Sequence, residues 1–289
     1  MPFPTKEQLA EAVASTDRLC PGPRTLGRAL HLLRQDDTGV DDISALIGSD
    51  PALASDVLRC ANSVYYNRVG GVHSLSEAIQ VIGFESTTRL VTLSVGHQAT
   101  NRPLWAYGIS AGDYWSESLF NGLFLEALAE RVGCPDSGEA YITGLLRYVG
   151  RLAVDQVLED CDCSFPLDTT KSLSEWEMDT VGATQAEVGA QLLRRWNFPE
   201  RIVNALEAQD YHSISGVEGV ELLSQCMAFA AQILPVGKSF TSIMDRANSG
   251  IPCPDEHPFM TEHQLTIESI TAVFLEAFSS FSSTLDVMR

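Results

Sequence analysis

Apolar residues recur along most of the chain at intervals of three and four, which is the spacing of an amphipathic helix. Leu53, Val57 and Ala61, for example, fall on one helical face. Runs that alternate apolar and polar residues, as a half-buried strand does, do not occur in the sequence. The pattern therefore predicts an all-α protein whose helices bury one apolar stripe each.

Capping sequences mark where several of these helices begin. Asp50 precedes Pro51, which combines a favourable N-cap with a proline in the first helical position. A Ser or Thr followed three residues later by Glu or Gln forms a capping box. Such boxes begin at Ser74, Ser172, Thr184 and Thr261. The last box predicts the start of the final helix, and a longer helix is predicted over residues 110–131.

A change of pattern near Asn101, Arg102 and Pro103 predicts a domain boundary, because short helices precede it and a long one follows. We expect an N-terminal helical lobe over residues 1–105 and a second helical lobe over residues 106–235. A loop and a helical extension are predicted over residues 236–289.

Charge and the N-terminal sequence narrow the classes of function. The 19 Lys and Arg residues against 38 Asp and Glu residues give a net charge of −19. Such a chain repels phosphate backbones and anionic lipids, so we expect neither non-specific nucleic-acid binding nor a membrane partner. No apolar run approaches the ~18 residues of a membrane helix, and the N-terminus does not resemble a signal peptide. We expect a cytoplasmic protein.

Cysteines and histidines do not form a metal-binding pattern. The seven Cys contain no CxxC pair, and Cys161 with Cys163 is the only close pair. No two of the six His lie three or four residues apart, so no helix presents a His pair. The sequence therefore predicts free, mostly buried thiols and no metal or other cofactor.

Several blocks, in order, resemble the HDOD family, the HD-related output domain of bacterial signalling proteins. They are residues 47–66, 72–83, 144–150, 182–193 and 196–199. The resemblance extends over roughly residues 20–235. It implies that the second lobe is an HD-domain-like helical bundle and that the protein is a regulatory module of signal transduction.

The resemblance also allows a test of the HD metal site. In HD phosphohydrolases, His and Asp residues hold one or two metals that activate a water. The corresponding positions of this chain are Glu117, Arg147, Tyr148, Gln185, Gln209 and Asp210. Arg has no lone pair to donate and keeps its proton. These replacements imply a degenerate site without catalytic residues, so we expect the protein not to be an enzyme.

We hypothesise that Arg147 takes the place of the metal and that Glu117 or Asp210 neutralises it. Hydrogen bonds from Gln185, Gln209 and the Tyr148 hydroxyl complete this network. One alternative is that the old site has eroded and its side chains face solvent or unrelated partners. Another is that the register is wrong, most readily at Gln209 and Asp210.

Two arginines suggest a different use for the same cleft. Arg147 and Arg151 are four residues apart and could share a helix face, although Gly150 between them could end the helix. Together they could bind a nucleotide or another small phosphorylated ligand without hydrolysing it. The opposing interpretation is that Arg151 is a solvated cation at a helix C-terminus.

The N-terminal lobe offers a candidate surface for a partner. Asn62, Ser63, Tyr65 and Tyr66 follow a predicted helix. They either stabilise the turn or form a docking surface, since aromatic residues are enriched at interfaces. The expected function is thus a non-catalytic output protein that acts through protein partners of a signalling pathway. The alternatives are a phospho-ligand sensor and, less favoured, an atypical metal-dependent phosphohydrolase or cyclic-di-nucleotide phosphodiesterase.

Overall fold

The computed structural model describes residues 4–19, 22–32, 39–63, 65–66, 71–135, 137–166, 171–210, 221–234 and 257–288. Over these residues the protein is α-helical. The only β feature among them is an isolated antiparallel bridge between Leu104 and Ile109. The prediction of an all-α fold is therefore confirmed.

Fifteen α-helices lie within the described ranges. They are α1 Lys6–Leu19, α2 Gly22–Leu32, α3 Val40–Gly48, α4 Pro51–Ala61, α5 Leu75–Ile82, α6 Phe84–Thr100, α7 Ala111–Arg131, α8 Ser137–Leu145, α9 Arg151–Asp160, α10 Leu173–Val181, α11 Gln185–Arg195, α12 Glu200–Glu207, α13 Leu222–Ile233, α14 Pro258–Glu262 and α15 Ile267–Met288. A single 3-10 turn, Ala208–Asp210, follows α12. None of the helices in these ranges is both long and apolar enough to cross a bilayer.

Most of the predicted caps are present. Asp50 accepts hydrogen bonds from the backbone N–H groups of Ala52 and Leu53, and Ser74 accepts one from Glu77. The box that begins at Ser172 is complete, and Thr184 and Glu187 bond reciprocally at the start of α11.

The box predicted at Thr261 is wrong. Thr261 lies inside α14, and the final helix α15 begins after a reciprocal pair between Thr266 and Ser269. Either threonine could start a helix on local grounds. His257 already caps α14 by accepting from the backbone N–H of Phe259, and this earlier start leaves Thr261 within a helical turn.

The described residues cluster into two compact units that are interleaved along the chain. One contains Met1–Thr16, Thr100–Leu192 and Glu200–Arg289, and the other contains Asp17–Ala99 and Leu193–Pro199. This grouping differs from the three consecutive segments that we expected, because the two ends of the chain belong to the same unit as the middle.

The smaller unit is built on α3, α4 and α5, which pack on one another, with α2 against α3. Its core contains Ile47, Leu53, Val57 and Ile79, all almost fully buried. The stripe that the sequence predicted on α4 is thus the buried face of that helix.

The larger unit is organised around α7, which packs against α8 and α15. Phe120 of α7 lies 5.0 Å from Phe274 and 6.1 Å from Phe281 of α15, measured between ring centroids. Gly144 on α8 permits close packing, because a Cβ there would lie 2.3 Å from the backbone oxygen of Asn121. Only a glycine lets α8 approach α7 this closely.

The thiols of Cys60, Cys134, Cys161, Cys163 and Cys226 are free, as predicted. Of these five only Cys226 is buried, so the prediction that the thiols are mostly buried is wrong for the described residues. Cys20, Cys253 and His212 lie outside the described residues, as does most of the loop predicted between α13 and α14.

Candidate functional site

A series of tight turns joins α8 to α9 and carries both arginines of interest. The backbone N–H of Arg147 donates to Gly144 at 3.2 Å, and that of Arg151 donates to Tyr148 at 3.1 Å. Gly150 lies against the start of α11, where a Cβ would come within 1.9 Å of the carbonyl oxygen of Gln185. The glycine therefore brings Gln185 next to the two arginines.

Arg147 is buried and extensively hydrogen-bonded. Its Nη1 donates to Asn121 Oδ1 at 2.6 Å and to the Leu234 carbonyl at 3.1 Å, and its Nη2 donates to the Ala231 carbonyl at 3.4 Å. Arg147 thereby ties the α8–α9 turn to α7 and to the end of α13. Asn121 in turn donates to the carbonyl of Glu117, whose own carboxylate is buried one helical turn earlier.

Hydrogen bonds surround Arg147, but Asp210 is not among its partners in the described structure. Asp210 accepts hydrogen bonds from the hydroxyls of Thr184 and Ser174, at 2.5 and 3.3 Å, and does not pair with Arg147. These two hydroxyls, at the starts of α10 and α11, satisfy the Asp210 carboxylate. The expectation that Asp210 neutralises Arg147 was therefore wrong. Pairing of Arg147 with Glu117 stays a prediction.

Two glutamines extend the network as expected. Gln185 Nε2 donates to Gln209 Oε1 at 2.9 Å, and Gln209 Nε2 donates to the backbone carbonyls of Arg147 and Leu206 at 3.2 and 2.9 Å. These bonds link α11, the 3-10 turn and the α8–α9 turn, so three of the positions singled out in the sequence lie together. Solvent-facing erosion at Gln185 and Gln209 is excluded by their burial.

Tyr148 supports both arginines with its ring. The guanidinium carbon lies 4.9 Å from the ring centroid for Arg147 and 4.0 Å for Arg151. The backbone carbonyl of Tyr148 accepts the Tyr114 hydroxyl at 3.0 Å, which holds the turn against α7. A hydrogen-bonding role for the Tyr148 hydroxyl stays a prediction, whereas its cation–π contacts are a structural finding.

Arg151 differs from Arg147 in its bonding. It is the first residue of α9, its exposed fraction is 0%, and its guanidinium is packed between the rings of Tyr148 and Tyr107. Among the described residues, none of its three guanidinium nitrogens has a hydrogen-bond partner. The interpretation of Arg151 as a solvated cation at a helix C-terminus is therefore wrong.

Sequence reasoning missed Glu177 and Tyr107. Glu177 is fully buried on α10, where Oε1 accepts the Tyr107 hydroxyl at 2.8 Å and Oε2 accepts the backbone N–H of Gln185 at 2.7 Å. A signal was present, since Trp176, Thr180 and Val181 share the buried stripe of α10 with this carboxylate. An acidic residue in a core stripe indicates a specific polar role.

Burial raises the pKa of Glu177 to about 7, although the nearby positive charge of Arg151 and the two hydrogen bonds act in the opposite direction. Burial also raises the pKa of the Tyr107 phenol well above its ordinary value. Near neutral pH, Glu177 is thus divided between its neutral and charged forms, and Tyr107 remains a hydrogen-bond donor.

A second buried acid positions Tyr107. Asp155 accepts the backbone N–H of Ala106 at 2.8 Å and forms an ion pair with Arg102 at 3.0 Å. Burial raises the pKa of the Asp155 carboxyl, while the Ala106 N–H and Arg102 oppose that shift. These contacts hold the loop between Leu104 and Ile109, and with it Tyr107, against α9.

The arginines lie at the floor of a cleft with a volume of about 980 Å³. Its walls come from the α8–α9 turn, the start of α10 and α11, the 3-10 turn and the end of α13. The cleft is large enough for a nucleotide-sized molecule, since ligand pockets commonly measure roughly 300–1,000 Å³. The two arginines and Glu177 are buried at its floor, and the exposed carboxylates of Glu175 and Asp179 lie nearer the rim.

The family model of the HDOD domain matches residues 19–212, well over half of the chain. The chain belongs to the HDOD family. An uncharacterized protein of Treponema pallidum (strain Nichols) is 27% identical over 206 residues. That match covers 69% of this chain and 39% of the relative, so the chain spans well under half the length of this curated relative.

Two solved structures share the fold. An HDOD domain protein of unknown function from Geobacter sulfurreducens is 19% identical, with a TM-score of 0.62 over 91% of this chain and 90% of that one. A candidate signal transduction protein from Marinobacter aquaeolei VT8 is 23% identical, with a TM-score of 0.66 over 97% of this chain and 64% of that one. At these identities the likeness establishes the helical HDOD fold.

The donor set of this HDOD cleft does not fit a divalent metal ion. Such an ion needs several carboxylate, imidazole or thiolate groups that converge on one point. Within the part of the chain that the structure describes, no three His, Cys, Asp or Glu residues form such a group. The guanidinium of Arg147 places a fixed positive charge in this cleft, and the carboxylate of Asp210 accepts hydrogen bonds from two hydroxyls.

The turn after α4 has a structural part and an exposed part. The Asn62 side chain donates to the carbonyls of Leu58 and Val72 and accepts the N–H of Val72, with distances between 2.8 and 2.9 Å. Ser63 accepts the backbone N–H of Tyr66. Tyr65 is 87% exposed and packs edge-on against Tyr66, at 5.0 Å between ring centroids. Asn62 therefore stabilises the turn, and Tyr65 is what the turn presents to solvent.

Proposed function

We propose that this HDOD protein is a non-catalytic regulatory module of signal transduction that acts through protein partners. One observation supports the proposal: the buried guanidinium of Arg147 is hydrogen-bonded to Asn121 and to the carbonyls of Ala231 and Leu234. The resemblance to HD enzymes assigns this position to their metal-binding pair. A site that holds a permanent cation in this way repels a divalent ion.

The physical role of the network favours a structural output over turnover. Arg147, Gln185 and Gln209 connect elements that are distant in sequence, as the metal would connect them in an HD enzyme. Charge-assisted hydrogen bonds are stronger than neutral ones, so such a network can hold the helical bundle in one arrangement. The family's place in signal transduction supports a role in which that arrangement is recognised by another protein.

The rival function, a metal-dependent phosphodiesterase, sets the decisive experiment. The purified chain would be analysed for Mn, Fe, Ni and Zn and incubated with bis(p-nitrophenyl) phosphate and a cyclic dinucleotide in the presence of Mn²⁺. We expect substoichiometric metal and hydrolysis no faster than in the protein-free control. One or two metals per chain, together with turnover that Glu117→Ala abolishes, would contradict the proposal.

Tyr65 is the residue that we propose for partner docking, because a large aromatic side chain that is 87% exposed gains most by being covered. Cross-linking in cells would compare Tyr65→Ala with Phe84→Ala, since Phe84 is also an exposed aromatic residue at 39%. We expect a partner that is retained by Phe84→Ala and lost by Tyr65→Ala. Retention of every partner by both variants would place docking elsewhere.

A further inference from the structure

Arg151 is a buried cation without a hydrogen-bond partner among the residues that the structure describes. A buried cation is costly unless it is paired or hydrogen-bonded, and Arg151 is 0% exposed with no hydrogen-bond partner at any guanidinium nitrogen among the described residues. Its position at the first residue of α9 adds to the cost, since the N-terminal end of a helix is positive. The cation–π contacts with Tyr148 and Tyr107 offset part of this cost.

The carboxylates around Arg151 are already engaged with other groups. Glu177 binds Tyr107 and the N–H of Gln185, and no ion pair joins it to Arg151 within the described structure. Three carboxylates nearer the rim are also engaged. Glu175 accepts the backbone N–H of Ser172, and Asp179 accepts the Lys171 ammonium. Asp210 accepts two hydroxyls. The exposed carboxylates therefore lie at the rim of the cleft, while its buried floor holds Glu177 and the Arg151 guanidinium, whose N–H groups have no acceptor among the described residues.

An unused acceptor lies in the same cleft. Oε1 of the buried Gln185 has no hydrogen-bond partner among the described residues, whereas its Nε2 is bound to Gln209. A molecule that satisfies both groups must carry oxygens that accept from Arg151 and an N–H or O–H that donates to Gln185. A phosphate ester with a hydroxyl or amino group has both features.

We propose that the cleft binds a small phosphorylated ligand whose phosphate oxygens accept the N–H groups of Arg151, with a donor of the ligand on Gln185 Oε1. A guanidinium suits this role because its planar fork can give two parallel hydrogen bonds to one phosphate. Arg147 contributes positive charge, while its own N–H groups stay on Asn121 and the α13 carbonyls. The inference rests on the proposed function in one respect: a cleft that does not hydrolyse its ligand can act as a sensor.

The test measures the melting temperature of the full chain in sodium phosphate and in sodium chloride at equal ionic strength, with EDTA present. We expect about 10 mM phosphate to raise Tm by about 3 °C over chloride. Arg151→Met should abolish this shift, and Arg151→Lys should reduce it. The matched control Arg59→Met, at an exposed arginine of the other unit, should keep it.

Adenosine monophosphate extends the same measurement. A larger shift with the nucleotide than with phosphate would identify an ester as the ligand class, and an equal shift would identify the phosphate group as sufficient; both support the site. No shift in wild type, or a shift that persists in Arg151→Met, overturns the inference. Hydrolysis with Mn²⁺ alongside an EDTA-resistant shift would overturn the proposed function and leave this inference standing.

Discussion

The two arginines at the floor of the cleft differ in their hydrogen bonding. Arg147 and Arg151 are four residues apart and both buried, and both pack on the ring of Tyr148. Arg147 donates hydrogen bonds to Asn121 and to backbone carbonyls, whereas Arg151 has no hydrogen-bond partner among the described residues. Burial alone does not reveal the role of a charged residue; its hydrogen bonds do.

Removing Arg147 should have the largest effect on stability. Arg147→Ala leaves Asn121 Oδ1 and two carbonyl oxygens without their donor, and each buried unsatisfied group costs about 1–3 kcal/mol. We expect the free energy of unfolding in urea to fall by about 4 kcal/mol. The exposed Arg59→Ala, which breaks only a surface pair with Asp56, should change it by less than about 1 kcal/mol. Equal effects of the two variants would mean that the Arg147 network contributes little.

The carboxylate beside Arg151 should make stability depend on pH. Because burial raises the pKa of Glu177 from 4.5 to about 7, the folded state holds this proton more tightly than the unfolded state. The resulting stabilisation is full below pH 4.5 and is lost as the pH rises through 7. Glu177→Gln keeps an uncharged side chain of the same shape. We therefore expect its stability relative to wild type to increase between pH 5 and 8 by up to about 3 kcal/mol.

The matched control for this pH series lies two residues earlier on α10. The hydrogen bonds from the backbone N–H and hydroxyl of Ser172 lower the pKa of Glu175, so this exposed carboxyl is ionised in both states above pH 5. The stability difference between Glu175→Gln and wild type should therefore stay constant from pH 5 to 8. A constant difference for Glu177→Gln as well would show that Glu177 is not buried in the neutral form.

Arg151→Met should have the smallest effect, and one of opposite sign to Arg147→Ala. At pH 6, where Glu177 is mostly protonated, replacing an unbonded buried cation with an apolar side chain removes its desolvation cost but also its cation–π contacts. We expect the ligand-free protein to gain about 1 kcal/mol in unfolding experiments. A loss of unfolding free energy as large as that of Arg147→Ala would show that Arg151 also stabilises the fold. The two arginines would then not differ in role.

Much of the candidate site followed from reading the chain against the HD pattern. That comparison brought Arg147, Gln185 and Gln209 together, and the structure links them by hydrogen bonds. It failed at Asp210, because a carboxylate between two hydroxyls and a carboxylate beside an arginine look alike in sequence. Glu177 and Tyr107 were missed because they meet only in the folded chain, 70 positions apart, and neither was among the positions compared with the HD pattern.

The sequence by itself determined the helical fold and most of its helix starts, because periodicity and caps act over a few residues. It also established that position 147 carries a fixed cation, since the residue type alone sets that charge. Only the tertiary structure decided which of the two arginines forms hydrogen bonds with the described residues and which does not. The partners of Arg147 come from α7 and the end of α13, up to 87 positions away in the chain, and no local pattern encodes such contacts.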